Sequence, residues 1–406
     1  MVNTEYLRGG AARIARLLHE TLNSTPGFRS YFAYGRGPKV LGGEAIRFAC
    51  QPEVFLHALL TRCTGLQGYG SWVSTSRFLR LVQGQKPDIV HLHNLHGYYL
   101  NLNITETLAK LKIPIIWTLH DGWPLTGRCA YWFDCERWKY ECGHCPNLQL
   151  YPRTYVDTSA YMWKKKMESF ASSWSPVIVC PSQWLADQVK DSFLYRFHVE
   201  IIPNAVDIKR FQPKDKIVAR QRLMIPEDKK VILFVASDLQ DERKGAKYFF
   251  EALQYIKATS WMVLTLGKRV ELPRRTKELA EILQLGYLSN DDEMAQLYSL
   301  ADVYCITSLD DNFPTTVLES LACGTPVVGF RVGGIPEQVT EDCGILVSPR
   351  DIKGLGMALS TLLQDNELRE KMSQNCRARA VNYYSVDKFR DRYIQLYQNL
   401  LRGGRR

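Results

Sequence analysis

Two carboxylates, one in a predicted loop and one in the helix after it, are the residues best placed for chemistry. Asp311 and Glu319 are separated by seven residues in the segment Asp311–Pro326 (DNFPTTVLESLACGTP). In open α/β sheets the ligand crevice lies at strand ends, where Asp311 is predicted. Thr315 and Thr316 would open the helix, where free backbone N–H groups favour phosphate. Because Glu319 would repel phosphate, we expect it to bind ribose hydroxyls; a capped helix with an exposed glutamate is the alternative.

A second polar cluster follows a predicted strand in the first half of the chain. His91, His93, Asn94 and His96 lie in the segment HLHNLHGYY. His91 and His93 share one strand face, because side chains alternate along a strand. A metal pair is one interpretation, but no third ligand follows at a clear spacing. We predict that His93, Asn94 and His96 line the site of an acceptor substrate, and a purely structural loop is the alternative.

Four cysteines are concentrated in one short segment. Cys129, Cys135, Cys142 and Cys145 are separated by five, six and two residues. The closing C-x2-C has a zinc-knuckle spacing, and four thiolates in one loop suit a closed tetrahedral site. Disulfides and free thiols are the alternatives, although disulfides rarely persist in a reducing cytosol. We therefore predict a structural zinc ion at these four residues.

Short apolar runs alternate with amphipathic helical patterns along most of the chain. This alternation predicts an α/β fold with parallel sheets and helices on both faces. A helix is predicted at Gly10–Leu22 and another at Thr315–Cys323. The predicted strands are Asp88–Leu92, Pro114–Leu119, Pro176–Pro181, Lys230–Ala236, Trp261–Leu266, Val303–Thr307 and Pro326–Phe330.

The length and a proline-bounded segment predict two domains. The chain has 406 residues, more than one ordinary core requires. Pro203–Pro213 (PNAVDIKRFQP) predicts a connection between a first domain, residues 1–203, and a second, residues 204–384. A final helix over 385–402 carries Tyr393 and Tyr397 on one face and is expected to pack back on the first domain.

The composition is that of a globular protein, 46% hydrophobic and 23% charged. No run of about 18 apolar residues could span a bilayer. The start of the sequence lacks the pattern of a signal peptide, so we expect a cytoplasmic protein. The formal net charge of +10 leaves three interpretations open: a solvated surface, attraction to anionic lipid, or attraction to nucleic acid.

The stretch Gly286–Val347 resembles the C-terminal half of the family 4 retaining glycosyltransferases, which have the two-domain GT-B fold. The family has two glutamates where this chain has Asp311 and Glu319, and the run Gly333–Glu337 (GGIPE) is similar as well. Thr118–Pro146 resembles a subgroup from bacterial capsule and exopolysaccharide assembly, including the colanic-acid type. The resemblance implies two Rossmann-like domains whose parallel sheets face each other across a cleft.

The resemblance also implies roles for individual residues. Asp311 and His120 would contact the transferred sugar, and Lys244 would bind the donor diphosphate, so these three are the expected catalytic residues. The arginine that usually accompanies this lysine is missing, because Ser237-Asp238 occupies its place, and Arg243 is expected to substitute. The donor-binding set is then Gly10, Arg243, Lys244, Asn312, Thr315, Thr316 and Glu319.

The activity implied is transfer of a sugar, with retention of configuration, from a nucleotide-sugar donor to a glycan or lipid-linked glycan. The family needs no metal at the donor phosphates. We expect peripheral contact with the inner face of an anionic membrane. We expect no nucleic-acid partner. The rival functions are an epimerase or phosphorylase of the same fold and a zinc-bearing nucleic-acid-binding protein. A nicotinamide dehydrogenase is disfavoured, because no G-x-G-x-x-G segment is present.

Overall fold

The chain folds into two compact units. The computed structural model describes residues 1–40, 43–171, 174–288 and 290–403. The first unit comprises Met1–Pro203 together with the chain from Phe389 onwards, and the second comprises Asn204–Lys388. The sequence analysis ended the second domain at residue 384, four residues earlier than the structure does.

The first unit is built on a parallel sheet of seven strands in the order β3-β2-β1-β4-β5-β6-β7. Its elements are β1 (Val2–Glu5), α1 (Gly10–Asn23), β2 (Phe32–Arg36), β3 (Ala45–Arg47), α2 (Gln51–Thr64), α3 (Trp72–Gln85), β4 (Val90–Leu92), α4 (Ile104–Lys110), β5 (Ile115–Thr118), α5 (Ser159–Ala171), β6 (Val177–Cys180), α6 (Gln183–Lys190) and β7 (Val199–Ile201).

The second unit is built on a parallel sheet of six strands in the order β10-β9-β8-β11-β12-β13. Its elements are α7 (Lys216–Arg222), β8 (Lys230–Asp238), α8 (Ala246–Ala252), β9 (Trp261–Lys268), α9 (Arg274–Leu279), β10 (Glu281–Gly286), α10 (Asp291–Leu300), β11 (Val303–Ile306), α11 (Thr315–Ala322), β12 (Val327–Phe330), α12 (Ile335–Gln338), β13 (Gly344–Val347), α13 (Ile352–Gln364) and α14 (Asn366–Tyr384). The last helix, α15 (Val386–Gly403), follows at once.

The central strands are apolar because helices cover both faces of each sheet. In β8 the residues Val231–Phe234 are buried on both sides, and β11 is buried along its whole length. All strand pairs are parallel, and each sheet reverses its order beside its first strand, which is the Rossmann arrangement. The prediction of an α/β protein with two Rossmann-like domains is therefore confirmed.

The final helix contributes to the first unit. On α15 the side chains of Tyr393, Leu396 and Tyr397 are buried. Tyr397 shares a hydrogen bond of 2.8 Å with Nδ1 of His91 in β4. Tyr393 shares one of 3.0 Å with Thr118 in β5. No helix within the described residues combines the length and apolar character that crossing a bilayer requires.

Candidate active site

Asp311 lies at the centre of a charged cluster in the second unit, in the loop after β11. Its Oδ2 accepts hydrogen bonds from Lys244 Nζ at 2.7 Å and from an Arg243 guanidinium nitrogen at 3.1 Å. Ser308 Oγ donates to the same oxygen at 3.2 Å. The cluster is largely buried, with the three charged side chains 14–20% exposed. The structure thus brings together three of the residues that the sequence assigned to the donor.

The two loops that carry these charges are in close backbone contact. Leu309 N donates to Arg243 O at 2.8 Å, and Thr307 Oγ1 donates to Lys244 O at 3.0 Å. Gly245 has a φ of +64°, and a Cβ there would stand 2.0 Å from Thr307 O. Only glycine therefore lets the loop after β8 approach the loop after β11 closely enough for Lys244 to reach Asp311.

The cluster holds Lys244 and Arg243 against the carboxylate of Asp311, and a second carboxylate, that of Asp241, lies 3.8 Å from Arg243. Burial would raise the pKa of Asp311, but Lys244 and Arg243 outweigh it and hold that pKa below its ordinary value. Burial lowers the pKa of Lys244, and Asp311 opposes this effect. Two cationic side chains are thereby held side by side. Such a site suits an anion such as a diphosphate.

Helix α11 carries the other predicted donor residues. Thr315 and Thr316 lie in its first turn and are half-buried, and Tyr304 donates its hydroxyl proton to Thr316 Oγ1 at 2.9 Å. Asn312 is buried, and its carbonyl accepts Gly334 N at 2.9 Å. Glu319 is only 2% exposed. Burial, followed by the charge of Glu319, raises the pKa of Tyr298, which places the carboxylate close to that phenol.

In the first unit, His120 belongs to a group of stacked imidazoles. His120 Nε2 and His93 Nδ1 share a hydrogen bond of 2.9 Å, and their ring centroids are 5.2 Å apart. His91 also stacks with His93, with their ring centroids 4.4 Å apart. His91 Nε2 is 2.7 Å from Thr118 Oγ1. Neighbouring strands β4 and β5 thus bring His120 beside the cluster of histidines that follows β4.

The predicted acceptor residues have separate environments. His93 is 1% exposed and lies against the rings of His91 and His120, and its predicted place in an acceptor site stays a prediction. His96 is partly exposed and its Nε2 pairs with Asp121 Oδ2 at 2.8 Å. The backbone N–H of Asn94 donates a hydrogen bond of 3.2 Å to Oδ1 of Asn3 in β1.

Gly10, which was assigned to the donor, begins α1 next to the N-cap Gly9. A Cβ built at Gly10 would meet no atom within 4 Å. Packing within the described residues therefore does not require glycine at this position. Its predicted contact with the donor stays a prediction.

The four cysteines of the predicted zinc site lie in the long segment between β5 and α5. Cys142 Sγ accepts Gly127 N at 3.2 Å, and Cys145 Sγ accepts Arg128 at 3.6 Å. Burial raises the pKa of the Cys129 thiol to about 12 and that of Cys142 to about 11. Throughout the described ranges, no three His, Cys, Asp or Glu side chains form a group that could hold a metal ion.

The zinc ion therefore stays a prediction from the sequence. Protein purified without a chelator should contain about one zinc ion per chain. Each Cys→Ser change should release the metal and destabilise this segment and not the second unit. Elemental analysis, with thiol titration of the unfolded chain, is the measurement. Less than about 0.2 zinc per chain with all four thiols free would contradict the prediction.

Two buried cations that the sequence analysis missed organise the same segment. Arg128 donates to the carbonyls of Asn147, Leu148, Leu150 and Pro152. Lys166 of α5 donates to Trp123 O at 2.7 Å and Thr126 O at 2.9 Å. Lys166 lies in a run of three lysines that suggests a solvated surface. The available signal was its helical spacing from the apolar residues Met162, Trp163 and Phe170.

Replacement of Lys166 by methionine should remove a pH dependence of stability. Burial lowers the pKa of Lys166 from its ordinary 10.5 to about 7. Between these values the unfolded chain binds more protons, so the free energy of unfolding should rise with pH by about 1.4 kcal/mol per unit. Below pH 7 both states carry the proton, so this pH dependence ends there. Urea melts from pH 6 to 10 measure it, with the half-exposed Lys165→Met as the control. Equal slopes for Lys166→Met and the wild type would contradict it.

The comparisons with known proteins agree with this architecture. Residues 8–210 match the family described as Glycosyltransferase Family 4, and residues 215–379 match Glycosyl transferases group 1. The fold and these matches define the protein as a glycosyltransferase. More particularly, the chain belongs to glycosyltransferase family 4, as the resemblance implied.

One relative aligns along nearly the whole length of the chain. The colanic acid biosynthesis glycosyl transferase WcaC of Escherichia coli (strain K12) is 26% identical over 424 residues, which cover 98% of each chain. Among solved structures, sucrose-phosphate synthase from Thermosynechococcus elongatus has a TM-score of 0.73 at 18% identity and covers 99% of this chain and 98% of its own. HepE of Anabaena, in complex with UDP, has a TM-score of 0.68 at 15% identity and covers 98% of each chain. These likenesses confirm the predicted GT-B fold.

Proposed function

We propose that this glycosyltransferase moves a sugar from a nucleotide diphosphate donor to a glycan or lipid-linked glycan, with retention of configuration, in extracellular polysaccharide biosynthesis. The observation that carries the proposal is the cluster of Lys244, Arg243 and Asp311, which holds two cationic side chains side by side. The likeness to WcaC, whose name assigns it to colanic acid biosynthesis, supports the polysaccharide role. The UDP complex of HepE supports a nucleotide diphosphate donor.

The cluster suggests how the leaving group is stabilised. In the proposed reaction the bond between the sugar C1 and the diphosphate oxygen breaks, and the acceptor oxygen forms a bond to C1 on the same face. The acceptor proton passes to the departing phosphate oxygen. Lys244 and Arg243 offset the negative charge that develops on the diphosphate, so we propose that donor binding requires no metal. Asp311, bonded to both cations, orients the sugar and is not a covalent nucleophile.

A panel of nucleotide sugars tests the proposed function. The wild-type protein should release nucleoside diphosphate from one or a few donors, and faster when a glycan or lipid-linked acceptor is present. NMR of the product should show the same anomeric configuration as in the donor. An inverted product would contradict retention. Release from no donor under any acceptor condition would contradict the function.

An exposed apolar surface on the first unit supports sugar transfer to a membrane-bound acceptor on the cytoplasmic side. The α2–α3 apolar patch consists of Phe55, Leu56 and Leu59 on α2 and Trp72 and Val73 at the start of α3, which are 49–70% exposed. Both helices meet at Glu53, whose carboxylate accepts Val73 N and Ser74 N at 2.8 Å each. These bonds hold the start of α3 against the first turn of α2, with apolar side chains exposed on both helices.

The charges beside the patch favour an anionic bilayer as its occupant. Arg77 and Arg80 are exposed on α3, one and two turns beyond Val73. The carboxylate of Glu53 is bonded to the start of α3, so it offsets little of this positive charge. Apolar side chains with a tryptophan, next to arginines, are typical of surfaces that dock on anionic lipid. We therefore propose peripheral attachment through this patch.

Changing Phe55 and Trp72 together to glutamate should weaken this attachment. The wild type should sediment with vesicles that contain phosphatidylglycerol, and less at high salt. The variant should bind these vesicles about tenfold more weakly. Tyr383→Glu, an exposed aromatic on the second unit, is the matched control. Equal vesicle binding by the variant, or a wild type that forms dimers through this patch and ignores the vesicles, would contradict the proposal.

A further inference from the structure

The hydrogen bond between His93 and His120 determines which nitrogen of His120 carries the proton. His93 Nδ1 and His120 Nε2 are 2.9 Å apart, so one of the two rings donates and the other accepts. His93 is fixed in position, since its carbonyl accepts Trp117 Nε1 at 3.0 Å and its ring stacks on His91. His91 is itself bonded to Thr118 and Tyr397. Which ring donates this proton can be inferred from the environment of the other nitrogen of His93, Nε2.

That remaining nitrogen is buried without a partner. His93 Nε2 has no hydrogen-bond partner among the described residues. If this nitrogen carried a proton, a buried N–H would be unpaired, and such donors are rarer in native structures than acceptors with a spare lone pair. The proton of His93 therefore belongs on Nδ1, where it is shared with His120 Nε2. His120, as the acceptor, then has its own proton on Nδ1.

The surroundings keep His120 neutral. Burial lowers the pKa of His120 to about 4, while Asp121 acts to raise it and His96 to lower it. His91 and His93, whose pKa values burial also lowers, contribute no positive charge near neutral pH. A neutral His120 with a proton on Nδ1 is a hydrogen-bond donor on that side, which suits a hydroxyl oxygen of a sugar.

We propose that His93 is a positioning residue that holds His120 in the Nδ1–H tautomer, so that His120 donates a hydrogen bond to the transferred sugar. The contact with the sugar rests on the proposed function, whereas the tautomer rests on the geometry of the first unit alone. The His93 N–H stabilises the unprotonated Nε2 of His120. Removing this donor should free His120 to change tautomer and to take up a proton more easily.

NMR on the full-length protein with labelled histidine tests the tautomer. The chain has only eight histidines, so their ring nitrogens can be assigned by single substitutions. The wild type should show His120 protonated on Nδ1, and His93→Leu should lose this preference. His93→Asn, whose side-chain amide can donate from nearly the same position, should keep it. A wild-type His120 protonated on Nε2 would overturn the inference, even if His93→Leu failed to fold.

The kinetics of the same variants test the effect on transfer. His93→Leu should lower kcat about tenfold or more and move the acid limb of the rate profile towards neutral pH. His93→Asn should restore both. His198→Leu, a change at an exposed histidine, is the control. If His93→Leu keeps the wild-type kcat and pH profile, the inference is wrong. If the wild type transfers no sugar, the proposed function fails, while the NMR result still decides the tautomer.

Discussion

Replacement of Lys244 by alanine should lower kcat by about 10²–10³-fold. Lys244 Nζ is the closest cation to Asp311 Oδ2, at 2.7 Å, and lies in a largely buried cluster where charge is weakly screened. In the proposed reaction it faces the charge that grows on the departing diphosphate. The loss should therefore fall mainly on turnover and less on KM.

Folding should survive this change. Asp311 would keep its hydrogen bonds from Arg243 and Ser308, so its carboxylate would not be left unpaired. The measurement is nucleotide release beside a thermal melt. Lys247→Ala, which removes an exposed lysine three residues away on α8, is the matched control and should be active. A wild-type rate for Lys244→Ala at an unchanged melting temperature would show that this lysine does not act on the donor.

Replacement of Glu319 by glutamine should weaken donor binding by about 1.5–3 kcal/mol, because ribose hydroxyls would lose a charged acceptor. This free energy corresponds to about a ten- to 150-fold rise in the donor Kd. Glutamine is preferred to alanine because Glu319 is buried in α11, and an alanine would leave a cavity beside Tyr298. Glutamine keeps the volume and removes only the charge.

Calorimetry with the preferred nucleotide sugar measures this effect. Glu341→Gln, an exposed glutamate of the same unit, is the control and should bind the donor as the wild type does. Binding of the free nucleoside should weaken to the same extent, since the proposed contact is with ribose and not with the sugar. An unchanged donor affinity in a folded Glu319→Gln protein would show that Glu319 does not bind the ribose of the donor.

The local pattern of the sequence was sufficient for four central strands of the second unit and for helix α11. The apolar run at Lys230–Ala236 predicts β8, which extends only two residues further, and Thr315–Cys323 predicts α11 to within one residue. Such runs determine strands and helices because burial repeats at short, regular spacings. In the first unit β3 and β7 escaped prediction, because each has only three residues and none of them is buried, whereas the equally short β4 is buried along its whole length.

The site was predictable only in part. Asp311, Glu319 and Lys244 could be identified because motif residues lie at fixed spacings beside strand ends. Which side chains meet could not, since Lys244 and Asp311 are 67 residues apart and His93 and His120 are 27 apart. These contacts depend on the order in which strands pair, and no local spacing encodes that order.

Burial of polar groups was the other property that tertiary structure alone decided. His93 belongs to a polar segment and Lys166 to a run of three lysines, and both sequences are typical of solvated surfaces. The structure buries both side chains, because neighbouring rings and carbonyls supply the partners that water would otherwise provide. The sequence by itself determined most of the central strands, the helices α1, α11 and α15, and the charged motif of a family 4 glycosyltransferase. Tertiary structure decided which of its polar side chains are buried, because the groups that replace water as their hydrogen-bond partners come from segments distant in the chain.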